Sequence, residues 1–292
     1  MDDPSLPIPV RIAAALARLE NEHNVEILFA SESGSRAWGM ASPNSDYDVR
    51  GVFRPRSSEA ATTESLQRLF HRKTCDQIDY MSEDRMLDIS LWSVHKALSL
   101  ADTGNTMLLE WLRSPIVYHT TGGWMEMLTR QLQQGGKAAR TSTLHHFFGF
   151  LTSALNQITK FDKDDKKEIQ GLADAATQAV NAYKQAAMVQ DWAKCAEEKA
   201  ALDTCLSLVG DKAHTLKTPA PPEIKKLCYI VRPALYLEYM HQHGVIPPLD
   251  LNEVLRGLDL PDDLFVRVER LLAAKRASRE KALCEDADAV IE

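Results

Sequence analysis

The stretch from Val25 to Gly51, VEILFASESGSRAWGMASPNSDYDVRG, constrains the fold more than any other part of the chain. It opens on VEILFA, a short apolar run with β-branched residues whose length suits a buried strand. Gly34 and Ser35 follow directly, then a polar loop, then Asp46 and Asp48. YDVRGVFRP alternates well enough to form a second strand, which Pro55 stops because proline cannot donate to a ladder. Residues two apart on a strand point to one face, so Asp46 and Asp48 project together with Cα atoms about 6.6 Å apart. Two unpaired carboxylates in one small volume repel, and one of them takes up a proton. A divalent cation removes that conflict, and Mg2+ takes one or two carboxylates together with substrate phosphates. Gly34 can adopt positive φ and let backbone N–H groups approach a phosphate, to which the Ser35 hydroxyl can also donate. Taken singly, an Asp-x-Asp pair and a Gly-Ser turn are commonplace in loops. In this order they read as half of a metal and triphosphate site.

A two-ion site, with cations roughly 3.5 to 4 Å apart bridging the attacking and leaving oxygens of a phosphoryl displacement, needs a third acid. DQIDYM and RMLDIS read as two further strands and supply Asp79 and Asp88. QIDYM looks like an edge strand. Asp88 sits in an apolar strand, where a carboxylate is costly to bury without a partner, so Asp88 is favoured as the third acid over Asp79.

Around this centre the chain is expected to form an α+β unit followed by an all-helical one. IPVRIAAALARLENEHNV places Ile12, Ala15, Leu16 and Leu19 on one helical stripe. SLWSVHKALSLADTGNTMLLEWLRS reads as a helix, a break at Gly104 and a second helix. Beyond Pro115 strand signal fades and good helix formers dominate, which places the boundary between residues 1–118 and 119–292. Three segments are read as connections or surface. PRSSEAATTESLQRLFHR is a loop with a short helix, LKTPAPPEIKK a Pro-rich elbow, and KFDKDDKKEIQGLADAATQ a solvated helix face.

Several other residues are candidates for the triphosphate, each with a plainer alternative. Arg36 and Arg50 flank the aspartates and can fork onto phosphate oxygens, or pair with the aspartates themselves. Lys96, one to two turns after Asp88, can reach the same cleft or lie on an exposed helix face. Asn105 follows the helix-ending Gly104 and caps the next helix in the more economical reading. Lys226, Tyr229 and Arg232, three residues apart, can present one basic-aromatic helix face, unless Tyr229 is core. His145 and His146 point about 100° apart on a helix and have no Cys or HxxxH partner for a metal. There is no GxxxxGK[ST] loop and no Ser-His-Asp arrangement.

Net charge is −7, with 34 basic against 41 acidic residues and a pI near 5.8, which argues against a broad basic coat for nucleic acid. A pocket gripping one phosphorylated end is unaffected by that argument. Five scattered cysteines without a CxxC pair fit reduced thiols. No stretch approaches the roughly 18 apolar residues of a membrane span. The expectation is a cytoplasmic protein with no membrane partner.

The assembled pattern, a strand, Gly-Ser, a spacer and then Asp-hydrophobic-Asp, resembles the DNA polymerase beta superfamily of nucleotidyltransferases. GSRAWG, SDYDVRG, LDISLWSVHKAL, GNTMLLEWLRSPIVY and KKLCYIVRPAL resemble one branch of it, the RNA repair pathway DNA polymerase beta family. The likeness is closest from Ser33 to Pro115 and returns from Lys225 to Leu235. It implies a short mixed sheet with flanking helices and a helical domain closing the cleft. It further implies that Gly34 and Ser35 hold NTP phosphates, that Asp46, Asp48 and Asp88 bind two Mg2+ ions, with Mn2+ as the substitute, and that Asp88 helps activate the incoming hydroxyl. Asn105 gains a nucleotide contact by the same token. The implied activity is transfer of a nucleoside monophosphate from an NTP such as ATP to a hydroxyl, first of all an RNA end. A protein hydroxyl, or a non-catalytic nucleotide-binding regulatory module, is the alternative. One departure concerns Leu91, Trp92 and Ser93, where family members often carry Gly-Trp-Asp, so a supporting acid is absent.

Overall fold

The computed structural model describes residues 3–56, 76–134, 136–158, 178, 181–183, 185–186, 188–189, 191–215 and 223–277. The expected loop with a short helix after Pro55, nearly all of the acidic segment from Lys160, and the proline run of the elbow lie outside those residues. The chain divides into two units, residues 1–39 with 45–139, and residues 40–44 with 140–292.

The first unit opens with α1 (Ile8–His23), which ends at Asn24 in a left-handed conformation. Its stripe of Ile12, Ala15, Leu16 and Leu19 is buried. β1 (Val25–Ser33) is followed at once by the single turn α2 (Gly34–Ala37). Next come β2 (Tyr47–Pro55), β3 (Gln77–Met81) and β4 (Leu87–Ser93). After β4 lie α3 (Val94–Asp102), α4 (Thr106–Leu112), β5 (Val117–Thr120) and α5 (Trp124–Gln134). The sheet order is β3-β4-β2-β1-β5. β2 and β4 run parallel and every other neighbour is antiparallel, so the sheet is mixed, as the sequence pattern implied. With helices flanking it and a helical C-terminal portion, the fold is α+β.

Alternation along the strands divides the sheet into two faces. On one, Val25, Ile27, Val49, Phe53, Ile89 and Leu91 join the α1 stripe in a single apolar core. On the other, Asp48 and Arg50 of β2 lie beside Asp88, Ser90 and Trp92 of β4. Trp92 packs against Trp111 of α4, with ring centroids 3.9 Å apart and planes tilted by 44°. Buried Arg11 ties α1 to Asp84, just before β4, through an ion pair of 2.8 Å. That guanidinium holds the Asp84 carboxyl well below the usual carboxylate range.

Two details differ from the sequence reading. The segment SLW, read as the start of a helix, continues β4, and the helix begins only at Val94, where Ser93 caps it by accepting from the Lys96 N–H. β5 lies beyond Pro115 and spans the expected boundary at residue 118. Its VYHT is short and mostly exposed, and it pairs with β1 without a periodic apolar pattern of its own.

The second unit contains α6 (Gly136–Ile158) from Arg140 onward, α7 (Trp192–Thr215), α8 (Ile224–His243), α9 (Leu251–Gly257) and α10 (Asp262–Ala277), as its composition predicts. Phe147 of α6 meets Tyr236 of α8 edge to face at 4.8 Å, and the Tyr236 hydroxyl donates to the Leu249 carbonyl. Lys275 of α10 is buried, and its Nζ donates to the Ser42 hydroxyl at 3.3 Å.

Candidate functional site

The site grows from the register of the two parallel strands. Asp48 and Asp88 are partner positions of β2 and β4, so both side chains leave the same face one strand spacing apart. Their carboxylates converge on one cation of the chain itself. Arg50 Nη2 lies 2.9 Å from Asp48 Oδ1 and 2.9 Å from Asp88 Oδ2. Arg50 Nη1 donates to the main-chain carbonyls of Asp88 at 2.7 Å and Val49 at 3.1 Å. Of the two readings of Arg50, pairing with the aspartates is the one the structure shows. Asp79 lies one strand further out on edge strand β3, where it accepts from Gln77 and from the Ser90 hydroxyl.

Asp46 precedes the first residue of β2, and its backbone is fixed by Arg36. The Arg36 guanidinium donates to the carbonyls of Asp46 at 3.0 Å and Ser45 at 2.6 Å and stacks 3.6 Å over the Tyr47 ring. Arg36 therefore braces the loop that enters the Asp-x-Asp strand. Among the described residues no group of three His, Cys, Asp or Glu side chains stands ready to hold a metal ion. The pair that converges is Asp48 with Asp88, a donor set of hard oxygens suited to Mg2+.

Gly34 faces Asp48 directly. Its φ is +63°, and a Cβ there would lie 2.0 Å from Asp48 Oδ2. Any other residue would meet both the left-handed backbone penalty and a clash with the carboxylate. Ser35, next in the same turn, is buried.

Two neighbours of the pair escaped the sequence reading. Glu32 is fully buried two residues before Gly34. It accepts from the Asp48 backbone N–H at 2.9 Å and from the Tyr118 hydroxyl of β5. Burial pushes the Glu32 carboxyl up to about 7, against the opposing pull of those two hydrogen bonds. Burial and then Glu32 itself push the Tyr118 phenol up as well. Glu32 in VEILFASES carries the same signal as Asp88, an acid in an apolar strand. Tyr118 carries no such signal, because β5 is not marked in the sequence.

The remaining candidates lie elsewhere. Lys96 Nζ donates to Gln77 Oε1 at 2.8 Å and lies 4.6 Å over the Trp92 ring. Asn105 caps α4 by accepting from the Leu108 N–H at 3.0 Å, the plainer of its two readings. Lys226, Tyr229 and Arg232 share a helix but not an exposure. Lys226 is exposed and pairs with Glu223, Tyr229 is half-buried, and Arg232 is buried over the rings of Tyr236 and Phe147. These three do not form the single basic-aromatic surface that their spacing suggests.

Comparison with known proteins follows the same lines. The model of the RNA repair pathway DNA polymerase beta family matches residues 8–292. The uncharacterized protein YcgL of Bacillus subtilis (strain 168) is 29% identical over 270 residues, covering 92% of this chain and 77% of that protein. Among the described residues no helix is long and apolar enough to cross a membrane.

Proposed function

Because the chain belongs to the RNA repair pathway DNA polymerase beta family, a family of polymerase beta-type nucleotidyltransferases, we propose that it moves a nucleoside monophosphate from an NTP such as ATP to a hydroxyl acceptor. The observation that carries this reading is the Asp48 and Asp88 pair, set side by side by strand register and already gathered around a positive charge. The fit to a divalent cation rests on the same fact: two hard carboxylates aimed at one point accommodate a guanidinium and suit Mg2+ or Mn2+. Asp48 and Asp88 would hold the ion, with Asp46 completing a second position when the triphosphate supplies the remaining oxygens. Bound there, the metal neutralises charge on the transferring phosphoryl group and lowers the pKa of the attacking hydroxyl.

The chain's own groups do the rest. The Gly34 turn admits the Asp48 carboxylate where a side chain would otherwise stand, its backbone N–H groups face the phosphates, and the Ser35 hydroxyl donates to a phosphate oxygen. Glu32 fixes the Asp48 backbone from behind, and Arg36 fixes that of Asp46. The acceptor oxygen bonds to the α-phosphorus, the bond to the pyrophosphate oxygen breaks, and the acceptor proton passes to a carboxylate oxygen of Asp88. Pyrophosphate leaves.

An RNA end is the acceptor that the family's description favours. A protein hydroxyl is the second reading, favoured by the net charge of −7. The test incubates the full chain with Mg2+, α-labelled NTPs and either RNA or protein acceptors. Label on RNA that disappears in Asp46→Asn/Asp48→Asn supports the first reading, and label on protein supports the second. Absence of any transfer that depends on these aspartates overturns both.

A further inference from the structure

The two carboxylates that should hold a metal are bridged by an arginine of the same strand, and that arrangement has a consequence for what the site binds. Resting on the nucleotidyl-transfer reading above, we propose that Arg50 is a built-in counter-cation that competes with free divalent metal for Asp48 and Asp88, so that the site favours metal arriving with a triphosphate over metal alone.

The geometry is that of a held charge. One guanidinium makes four contacts to oxygen, two to carboxylates through Nη2 and two to main-chain carbonyls through Nη1. Those carbonyls, of Val49 and Asp88, belong to the two strands that carry the aspartates, so Arg50 is anchored by the sheet itself. It is only 16% exposed, which limits screening by water.

Charge then decides which ligand wins. Two carboxylates and one guanidinium carry a net −1, and a bare divalent ion added to them meets a fixed positive charge at close range. Like charges a few ångströms apart in a partly buried site repel strongly. A triphosphate carries several negative charges, so a metal–NTP complex meets Arg50 as an attraction instead, and the released guanidinium gains phosphate oxygens to fork onto. Arg50 thereby acts as a specificity-determining residue. It lowers affinity for free metal and raises the coupling between metal and nucleotide.

The test is a Mn2+ titration of the EDTA-stripped full chain followed by electron paramagnetic resonance, without nucleotide and with a non-hydrolysable ATP analogue. Arg50→Met should bind Mn2+ alone on the order of five- to tenfold more tightly than the wild type, the value of one or two ion pairs near a surface. The tightening of Mn2+ by the analogue should shrink by a similar factor, and the unfolding midpoint in EDTA should drop because the carboxylates lose their partner. Folded Arg50→Met that binds Mn2+ no more tightly than the wild type overturns the proposal. Should Arg50→Met fail to fold without metal, Arg50→Lys decides. The ammonium keeps the charge but loses the second nitrogen anchored on the carbonyls, so Mn2+ should bind a few-fold more tightly, and unchanged affinity is again the contrary result. Asp48→Asn separates the two levels of inference. If it abolishes Mn2+ binding while Arg50→Met changes nothing, only the role of Arg50 falls. If Asp48→Asn binds Mn2+ like the wild type, the metal site itself falls, and Arg50 with it.

Discussion

Arg50 in the sheet unit and Arg232 in the helical unit are both largely buried, at 16% and 5% exposure, yet the contacts described for their guanidinium groups differ. Arg50 is ringed by oxygen: two carboxylates and two carbonyls. Arg232 lies over the faces of Tyr236 and Phe147, at 4.9 and 5.5 Å. The first arrangement concentrates charge at a point where an exchangeable cation can act, while the second joins a stem and a guanidinium to aromatic packing. The presence of an arginine near a motif therefore says little by itself. What surrounds the guanidinium decides between chemistry and packing.

The sharpest way to break this contrast is to remove the acid beside Arg50. Asp48→Asn should lower nucleotidyl transfer by at least about a thousandfold, the loss of several kcal/mol of transition-state stabilisation. A variant with near-normal transfer would put Asp48 on the same footing as Arg232.

Next in size is the effect of the buried acid behind Asp48. The folded Glu32 carboxyl titrates near 7 against an ordinary 4.5, so between those pH values the native state binds more protons than the unfolded state. The stability that Glu32 contributes is complete below pH 4.5 and is lost as pH rises to about 7, by about 3 kcal/mol at most. Urea unfolding in EDTA should show that decline in the wild type and a flatter profile in Glu32→Gln. Parallel profiles would show that Glu32 is not held neutral by burial.

Gly34→Ala follows. The added methyl would stand 2.0 Å from Asp48 Oδ2 on a backbone at φ +63°, so the carboxylate must move. Misplacement of this size should cost about a hundredfold in transfer and about 1–2 kcal/mol in stability. Loss of stability with unchanged transfer would separate the turn from the site.

The smallest effects belong to the helical unit and sharpen the comparison from the other side. Arg232→Met should cost about 2 kcal/mol in urea unfolding of the full chain and change triphosphate affinity less than twofold. Lys226→Ala, at an exposed i, i+3 pair with Glu223, should cost below about 0.5 kcal/mol. A tenfold loss of affinity in Arg232→Met at unchanged stability would return that residue to the site.

The contrast also shows which features could be read from the chain alone. The α1 stripe, β1, β2 and the Gly34 turn were legible because each rests on local periodicity or on backbone conformation. The Asp48 and Asp88 convergence was half legible. An acid in an apolar strand demands a partner, but only the parallel register of β2 and β4 shows that the partner is Arg50 and that Asp79 lies a strand away. Tyr118 could not be found this way, since β5 has only four residues, too few to show a period, and what brings its phenol to Glu32 is pairing with β1. The Lys226, Tyr229 and Arg232 stripe failed for the opposite reason. Helical spacing places residues on one face, and it does not say whether that face meets water or Phe147.

The most direct measurement is anomalous diffraction from crystals of the full chain grown with Mn2+ and a non-hydrolysable NTP. A manganese peak between Asp48 and Asp88, with the triphosphate against Gly34 and Ser35 and Arg50 turned from the carboxylates to phosphate, is the expected result. Manganese bound elsewhere, or a nucleotide seated away from the β2 and β4 face, would contradict it.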